Sequence, residues 1–555
     1  MKKNRKHFKF LVVVGALCLT AAISLGLVNQ NNVTASANEI TIESVDGNFY
    51  MEHGARVRIV PGSSGIRFCT RVSEEWYNLA TADGQTVEFY TSVDKYNNED
   101  EGEEVVLKAD ELSKDDDGYY FSGSIVYDAL EEQYENAAFN MQLEATAYAI
   151  IKKDGSEIKK VVAASDDNVR SMAEVADKAI RRDSEKYNNE QIAILNNYRK
   201  IETVEQFVDS TFDTFDITTV YEGATLLKVD MIDSGDSYVD SKFSFVANNE
   251  NTPRESLAVL FTDKGIIEAN FKVCAKVIRT VDDWSSVFNQ SGIIKGYYYL
   301  ENNITGYKSL NLSTAANSAN AFSGVLDGGG HSASFSLASK TGVFRYLTGA
   351  TVKNLNLNVK GNSGWQYSAV AQYVAGICSF SDLYIKTESV NDTCTRFSGF
   401  SEMFNGQSDF NRVVIETPQL QGDNFSSFSY YIQTINETSG ETNNDQYLRF
   451  KASDMYVISN LPLSVNKWKV YAVNQMTDTN DDGAITVADI DTTNKITYWP
   501  TPKDKSFTYS LYGYASLTEL KTASEAGKTN LTKYTEISYW GLDVNGLLTW
   551  NGANY

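Results

Sequence analysis

Histidine is the scarcest residue type in this sequence, with three among 555 residues. Of these, His53 and His331 lie beyond the first 37 residues. A Ser-His-Asp triad and most catalytic zinc sites depend on imidazole groups. The chain has too few histidines to favour either kind of site. His331 follows three consecutive glycines, and we expect it to lie in a turn.

Cysteine is also sparse, and its pattern excludes a disulfide framework. Beyond residue 37 the chain holds Cys69, Cys274, Cys378 and Cys394, with no Cys-x-x-Cys motif and no regular spacing. Disulfide-stapled secreted domains have dense, patterned cysteines instead. A pairing of Cys378 with Cys394 across adjacent repeats and a set of free buried thiols are the two alternatives.

Basic residues are too few to balance the acids: 49 Lys and Arg face 72 Asp and Glu, a formal net charge of −23. Residues 1–10 hold five basic residues and no acid, so the rest of the chain carries −28 (−23 − 5). Such a chain repels nucleic-acid phosphates and anionic lipid headgroups but attracts divalent cations. Beyond residue 37 no run of about 18 apolar residues occurs. We therefore expect no nucleic-acid partner and no membrane span.

The first 37 residues are built like a secretory signal peptide. The basic segment 1–10 precedes the apolar segment LVVVGALCLTAAISLGLV, and Ala35-Ser36-Ala37 offers small residues for cleavage. The sequence therefore predicts a secreted protein that is extracellular or associated with the cell surface.

The strongest internal pattern is a short apolar signature that occurs four times. Its first copy consists of Val352, Asn354, Leu355 and Leu357, and the copies start 28, 30 and 42 residues apart. Self-similarity at such distances is typical of stacked repeats that bury their apolar faces against one another. Apolar residues two positions apart within each copy favour strands, so we predict a parallel β-solenoid. The later copies are Phe380, Asp382, Leu383 and Ile385; Phe410, Arg412, Val413 and Ile415; and Ala452, Asp454, Met455 and Val457.

The whole chain is predicted to be mainly β and to fold as four segments after the signal peptide. Residues 38–200 are expected to form a β-sandwich-like domain with a C-terminal helix, and residues 201–280 a small β unit. Residues 281–465 are expected to form a right-handed parallel β-helix. Residues 466–555 hold an insertion with a calcium loop and a terminal hairpin that caps the solenoid.

Two local patterns support the boundaries of the first two segments. After Asp166 and Asp167, both plausible N-caps, the apolar spacing becomes helical. In the second segment, an Asp-Lys-Gly turn at 263–265 separates two predicted strands. The helical stripe consists of Val169, Met172, Ala176, Ala179 and Ile180.

Several segments resemble known modules. FSGVLDGGGH at 322–331, GVF at 342–344 and GATVKNLNL at 349–357 are similar to the right-handed β-helix modules, including GLUG-type repeats, of secreted and surface proteins of Gram-positive bacteria. EISYWGLDVNGLLTWNG at 536–552 resembles the hairpin that often ends such modules. The resemblance implies an architecture and almost nothing about chemistry.

One segment carries the oxygen pattern of a calcium site. An EF-hand-type loop of 12 residues presents ligands from positions 1, 3, 5, 7, 9 and 12, with glycine at position 6. Residues 478–489 fill every position, with Gly483 at the sharp turn. Aspartate at position 12 resembles the calcium repeat of dockerin modules, although only one such loop is evident. The predicted ligands of a structural Ca²⁺ are Asp478, Asn480, Asp482, the carbonyl of Ala484, Thr486 and Asp489.

The remaining candidate groups are aromatic and ionic. Trp365 and Tyr367 lie in a polar insertion between repeats, where exposed rings could stack on a sugar, and core packing is the alternative. Asp382 and Arg412 occupy equivalent repeat positions, so we predict an ion pair on the outer face rather than a catalytic set.

These observations favour a secreted, non-catalytic surface protein that serves adhesion or binds a polysaccharide or host glycan. Two alternatives remain, because β-helices host binding and catalysis alike. One is a β-helix polysaccharide lyase or glycoside hydrolase. The other is a dockerin-bearing component of a polysaccharide-degrading complex, whose partner would be a cohesin-type protein.

Overall fold

The computed structural model describes the chain from residue 40 to residue 552 with internal gaps. In this part the protein is mainly β, with short helices beside the sheets. None of the described helices is long and apolar enough to cross a membrane. The described residues are 40–60, 63–96, 104–127, 136–210, 212, 214–310, 318–338, 341–362, 366–432, 451–465, 469–470, 496–497 and 511–552.

The first unit consists of two antiparallel sheets of five strands each. Its strands are β1 (Phe49–Met51), β2 (Arg56–Arg58), β3 (Gly65–Val72), β4 (Gln85–Lys95), β5 (Val105–Lys108), β6 (Ser113–Asp115), β7 (Gly118–Val126), β8 (Leu143–Lys153), β9 (Ser156–Val162) and β10 (Val169–Arg170). One sheet has the order β1-β3-β7-β6 with β2 beside β3, and the other has the order β10-β8-β4-β5 with β9 beside β8. Buried residues alternate along β8, because successive side chains of a strand point to opposite faces.

The two sheets share one apolar core. The ring centroid of Phe89 in β4 lies 5.8 Å from that of Phe49 in β1 and 5.1 Å from that of Phe121 in β7. Trp76 is fully buried beside them, and its Nε1 donates a hydrogen bond to the carbonyl of Ile42. The helices of this unit are α1 (Glu74–Ala80), α2 (Asn136–Asn140), α3 (Met172–Asp183) and α4 (Asn189–Asn196).

Helix α3 carries the predicted apolar stripe except for Val169, which lies in strand β10, and its N-cap differs from the prediction. Ser171 is the cap, and its Oγ accepts a backbone N–H of the first turn at 3.1 Å. The prediction that Asp166 or Asp167 caps the helix is wrong, because Val169–Arg170 still form a strand that pairs with β8. Asp167 instead accepts two hydrogen bonds from the guanidinium of Arg170, at 2.7 and 2.8 Å.

The second unit is a four-stranded sheet with a short hairpin. Its strands are β11 (Ile201–Val208), β12 (Leu226–Met231), β13 (Ser237–Val239), β14 (Lys242–Ser244), β15 (Arg254–Thr262) and β16 (Ile266–Val273). The sheet has the order β11-β16-β15-β12, and β11 runs parallel to β16. The predicted turn at 263–265 is confirmed, since it joins the antiparallel pair β15 and β16. Phe243, Phe245 and Phe271 pack in the core of this unit.

The third unit is dominated by a parallel sheet of twelve strands, with a parallel sheet of three strands (β24-β26-β28) beside it. Eight of the twelve strands are hydrogen-bonded in the order β17-β18-β20-β23-β25-β27-β30-β33. The elements are β17 (Lys276–Ile278), α5 (Val281–Phe288), β18 (Tyr297–Leu300), β19 (Ile304–Ser309), β20 (Val325–Asp327), β21 (Ser332–Leu337), β22 (Phe344–Thr348), β23 (Thr351–Gly361), β24 (Gln366–Ser368), β25 (Ala371–Ser389), β26 (Arg396–Ser398), β27 (Ser401–Glu416), β28 (Phe425–Ser426), β29 (Ser429–Ile432), β30 (Lys451–Ile458), β31 (Lys469–Val470), β32 (Ile496–Thr497) and β33 (Leu511–Tyr514).

The four sequence repeats are hydrogen-bonded neighbours in this sheet. Their apolar positions pair in columns, so the predicted equivalence of the four copies is confirmed. The polar position has a φ of 51° to 55° in every copy, which bends each strand at the same level. Asn and Asp adopt this left-handed conformation more readily than most residues. The columns are Val352, Phe380, Phe410 and Ala452; Leu355, Leu383, Val413 and Met455; and, at the bend, Asn354, Asp382, Arg412 and Asp454.

The side chains at these bends bind one another or a neighbouring element. The guanidinium of Arg412 donates to both carboxylate oxygens of Asp382 at 2.6 and 2.8 Å, so the predicted ion pair is confirmed. Lys533 donates to Asp454 at 2.9 Å. Every bend that turns the backbone therefore also places a polar group where it finds a partner.

The interior of the third unit is built from stacked aromatic rings and free thiols. Phe380 and Phe410 are stacked at 4.9 Å and 22°, because parallel strands in register place equivalent residues above one another. All four described cysteines are free. The alternative of free thiols is therefore the correct one, and Cys378 and Cys394 do not pair.

The hairpin near the C-terminus is confirmed, but its position differs from the predicted cap. Strands β34 (Trp540–Leu542) and β35 (Leu548–Trp550), with helices α6 (Leu517–Glu525) and α7 (Thr532–Thr535), pack on outward side chains of β25, β27 and β30. The indole Nε1 of Trp550 donates to the carbonyl of Gly330 at 3.0 Å. The hairpin lies along the flank of the sheet because the outward residues there, Tyr384, Val414 and Tyr456, are apolar or aromatic.

Replacing Asp382 by Ala is expected to lower the free energy of unfolding by about 3 kcal/mol, because it leaves the guanidinium of Arg412 without a partner in a largely buried place. Urea denaturation at neutral pH measures the change. The double variant Asp382→Ala/Arg412→Met is expected to recover part of the loss. Strictly additive effects of the two substitutions would contradict a coupled ion pair.

Candidate functional site

The residues predicted for metal and ligand binding separate into two groups in the structure. The calcium ligands, all within 478–489, lie outside the described residues, as does Trp365. Tyr367 is described, in the short strand β24. Among the described residues, no three His, Cys, Asp or Glu side chains gather closely enough to hold a metal ion.

Tyr367 corrects the prediction of an exposed aromatic platform. Its side chain is 2% exposed and belongs to the apolar core of the third unit. Burial raises the pKa of Tyr367 to about 12, and its hydroxyl has no hydrogen-bond partner among the described residues. A ring enclosed in this way is not accessible to a sugar, so Tyr367 serves packing.

His331 lies in a turn, as the preceding glycines predict. Its backbone N–H donates to the carbonyl of Gly328 at 2.8 Å, and burial lowers the pKa of its imidazole. The side chain is therefore neutral at physiological pH.

A different row of aromatic residues reaches the surface of the third unit. Strands β22, β25, β27 and β29 lie side by side in parallel and in register. Each strand has two consecutive partly exposed residues that follow a buried residue. The second residue of each pair forms a column that we call the tyrosine ladder: Tyr346, Tyr373, Met403 and Tyr431.

Two neighbouring rings of the tyrosine ladder, those of Tyr346 and Tyr373, stack on one another. The centroids of Tyr346 and Tyr373 are 5.7 Å apart and their planes differ by 23°. Because stacked rings cover each other's faces, the ladder presents ring edges and phenol hydroxyls to the solvent. Burial and Glu402 raise the pKa of Tyr373, so its phenol stays protonated and can donate a hydrogen bond.

The first residue of each pair forms a polar column beside the ladder. Gln372 donates to Glu402 at 3.4 Å, and Arg396 donates to the same carboxylate at 3.2 Å. The guanidinium of Arg396 also lies 4.2 Å from the ring centroid of Tyr430. The polar column consists of Arg345, Gln372, Glu402 and Tyr430.

The two columns together form a surface that suits recognition. They offer phenol, amide, carboxylate and guanidinium groups, which donate and accept hydrogen bonds. The groups recur at the spacing of hydrogen-bonded strands, about 4.8 Å. This arrangement can hold a long ligand that carries a regular series of hydroxyl groups.

The sequence contains a signal for this site that the apolar signature does not include. Tyr346 follows Phe344 by two positions, and Tyr373 follows Ala371 by two positions, which is the same offset in successive repeats. The apolar signature at 352–357 lies on the next side of the repeat, so aligning on it leaves the ladder unnoticed.

Comparison of the sequence with protein-family models and with curated proteins gives no match.

Replacing Tyr367 by Phe is expected to raise the free energy of unfolding by about 1 kcal/mol, because it removes a buried hydroxyl that has no partner within the described part of the chain. Replacing Tyr384 by Phe is the matched comparison, since the hydroxyl of Tyr384 donates to Glu416. The second variant is expected to lose about 2 kcal/mol. Urea denaturation distinguishes the two, and a destabilised Tyr367→Phe variant would show that this hydroxyl has a partner.

Proposed function

We propose that this protein is secreted, has no catalytic role, and binds a polysaccharide through the tyrosine ladder and the polar column. The observation that carries this proposal is the in-register column of partly exposed residues Tyr346, Tyr373, Met403 and Tyr431. The basic and apolar segments within residues 1–37 support secretion. Acidic net charge favours neutral or cationic glycans over strongly acidic ones.

The proposal includes an architecture in which a β-sandwich-like first unit leads into a right-handed parallel β-helix. Two facts support the solenoid. The parallel strands stay in register over successive repeats, and each repeat bends at a left-handed residue. Each bend turns the chain towards the next side of a coil, so one repeat forms one turn.

In this architecture the polysaccharide lies across the strands, along the axis of the coil. The rung spacing of about 4.8 Å is close to the length of one sugar ring in an extended chain. Each rung then offers one phenol or thioether and one polar group to each sugar. Individual contacts of this kind are weak, and several of them acting together provide the affinity.

The double variant Tyr346→Phe/Tyr373→Phe tests the site. It keeps the ring stack and removes two hydroxyls. For a polysaccharide that binds the wild type, we expect the affinity to fall at least fivefold while the melting temperature stays the same. Affinity electrophoresis and a glycan array measure binding. Tyr120→Phe, at a partly exposed tyrosine of the first unit, is the matched control and is expected to bind like the wild type. Equal binding by the double variant would refute the site.

The acidic loop at 478–489 is proposed to bind one structural Ca²⁺. Support comes from its six oxygen-bearing ligand positions and from Gly483 at the turn. Because all six ligand positions lie within residues 478–489, a bound ion would hold this loop in one conformation.

Titration calorimetry is expected to show one Ca²⁺ bound per chain, and Asp478→Ala, which removes a carboxylate ligand at position 1, is expected to weaken this binding at least tenfold. Asp543→Ala is the matched control, because Asp543 lies in the terminal hairpin. Identical melting temperatures with Ca²⁺ and with EDTA, together with no heat of binding, would contradict the proposal.

A further inference from the structure

A cleft lies between the first and the second unit, away from the tyrosine ladder. Its volume is about 500 Å³, which is within the range of small-molecule binding sites. One wall belongs to helix α3 and the other to strands β12 and β15. Cavities between packed units are common places for ligands.

The wall from α3 is cationic, and most of its charges already have partners. Lys178 donates to Glu174 at 2.8 Å and lies 3.2 Å from Asp230. Arg181 donates to Asp177 at 2.8 Å and pairs also with Glu268. The pairs of Lys178 with Asp230 and of Arg181 with Glu268 join helix α3 to the second unit.

Arg182 differs from its neighbours on this wall. It is exposed, lines the cleft, and forms no ion pair with any residue in the described ranges. Its guanidinium is therefore available to an anionic group of a ligand. The cleft thus holds a cation without an ion-pair partner among the described residues, in a chain with a net charge of −23.

The opposite wall is apolar except for Asp230, whose carboxylate lies 3.2 Å from the ammonium group of Lys178. Met231, Ile232 and Val259 line it, and the side chain of Ile232 is 50% exposed. An exposed isoleucine beside an available guanidinium forms an amphipathic site, because one end attracts an anion and the other favours an alkyl group.

We propose that this cleft binds a small aliphatic carboxylate. The carboxylate would pair with the guanidinium of Arg182, and the alkyl chain would cover Ile232 and Met231. A fork-shaped guanidinium matches a planar carboxylate better than an ammonium group does. The site is independent of the polysaccharide surface, since the two lie on different units.

Three linear probes with six carbon atoms each test the proposal: hexanoate, hexanol and hexylammonium. The full chain, labelled at isoleucine and methionine methyl groups, is titrated and followed by NMR. Hexanoate is expected to shift the methyl signals of Ile232 and Met231 and to bind at least tenfold more tightly than the other two probes. Hexanol binding as tightly as hexanoate would overturn the role of Arg182, and unshifted signals with all three probes would overturn the site.

Arg182→Gln separates recognition from folding, because Arg182 is exposed and unpaired within the described chain. It is expected to weaken hexanoate binding at least tenfold while the melting temperature stays the same. Lys242→Gln, at an exposed lysine of the second unit, is the matched control and is expected to bind normally. Wild-type affinity in Arg182→Gln would contradict the proposal, whatever the outcome of the polysaccharide assays.

Discussion

The third unit depends on one constraint: its parallel strands must keep their hydrogen-bonding register while each of them bends. A residue in the left-handed conformation solves this at Asn354, Asp382, Arg412 and Asp454, whose φ angles lie between 51° and 55°. Since the bends coincide, equivalent residues lie above one another before and after them. The stack of Phe380 on Phe410 and the ion pair between Arg412 and Asp382 both follow from this alignment. The tyrosine ladder follows from the same parallel register at another position of the repeat.

The units on either side of the parallel sheet cover much of its outward face. From the second unit, Phe207 stacks on Tyr299 with a centroid distance of 3.9 Å and an angle of 13°. From the C-terminal end, the hairpin reaches back to Gly330 through Trp550. Aromatic residues on that face are therefore buried by neighbouring segments, whereas the ladder residues stay partly exposed. Burial by a neighbour, rather than residue type, separates packing aromatics from candidate ligand contacts.

Part of this fold could be predicted from residue spacing because the spacing is itself a physical requirement. Columns of the parallel sheet need apolar side chains at equivalent positions, so Val352, Phe380 and Phe410 reveal the repeat. Tyr367 shows where such reasoning fails. Its strand β24 has all three residues buried, so a polar-looking sequence context does not indicate solvent. The N-cap at Ser171 could not be predicted either. Asp166 and Asp167 have side chains suitable for a cap, but strand β10 follows them, so the helix begins only after Ser171.

Local features could be predicted from the sequence alone. They are the residues of each strand that face the protein interior, the polar residues at the bends, and turns such as 263–265. These features depend on side-chain size and on backbone preference, which are set by residues close together in the chain. The tertiary structure decided which rings stay accessible, where the terminal hairpin packs, and that α3 meets β12 to form a cleft at Arg182. These outcomes depend on contacts between segments far apart in the chain, because exposure is set by whatever else packs on a surface.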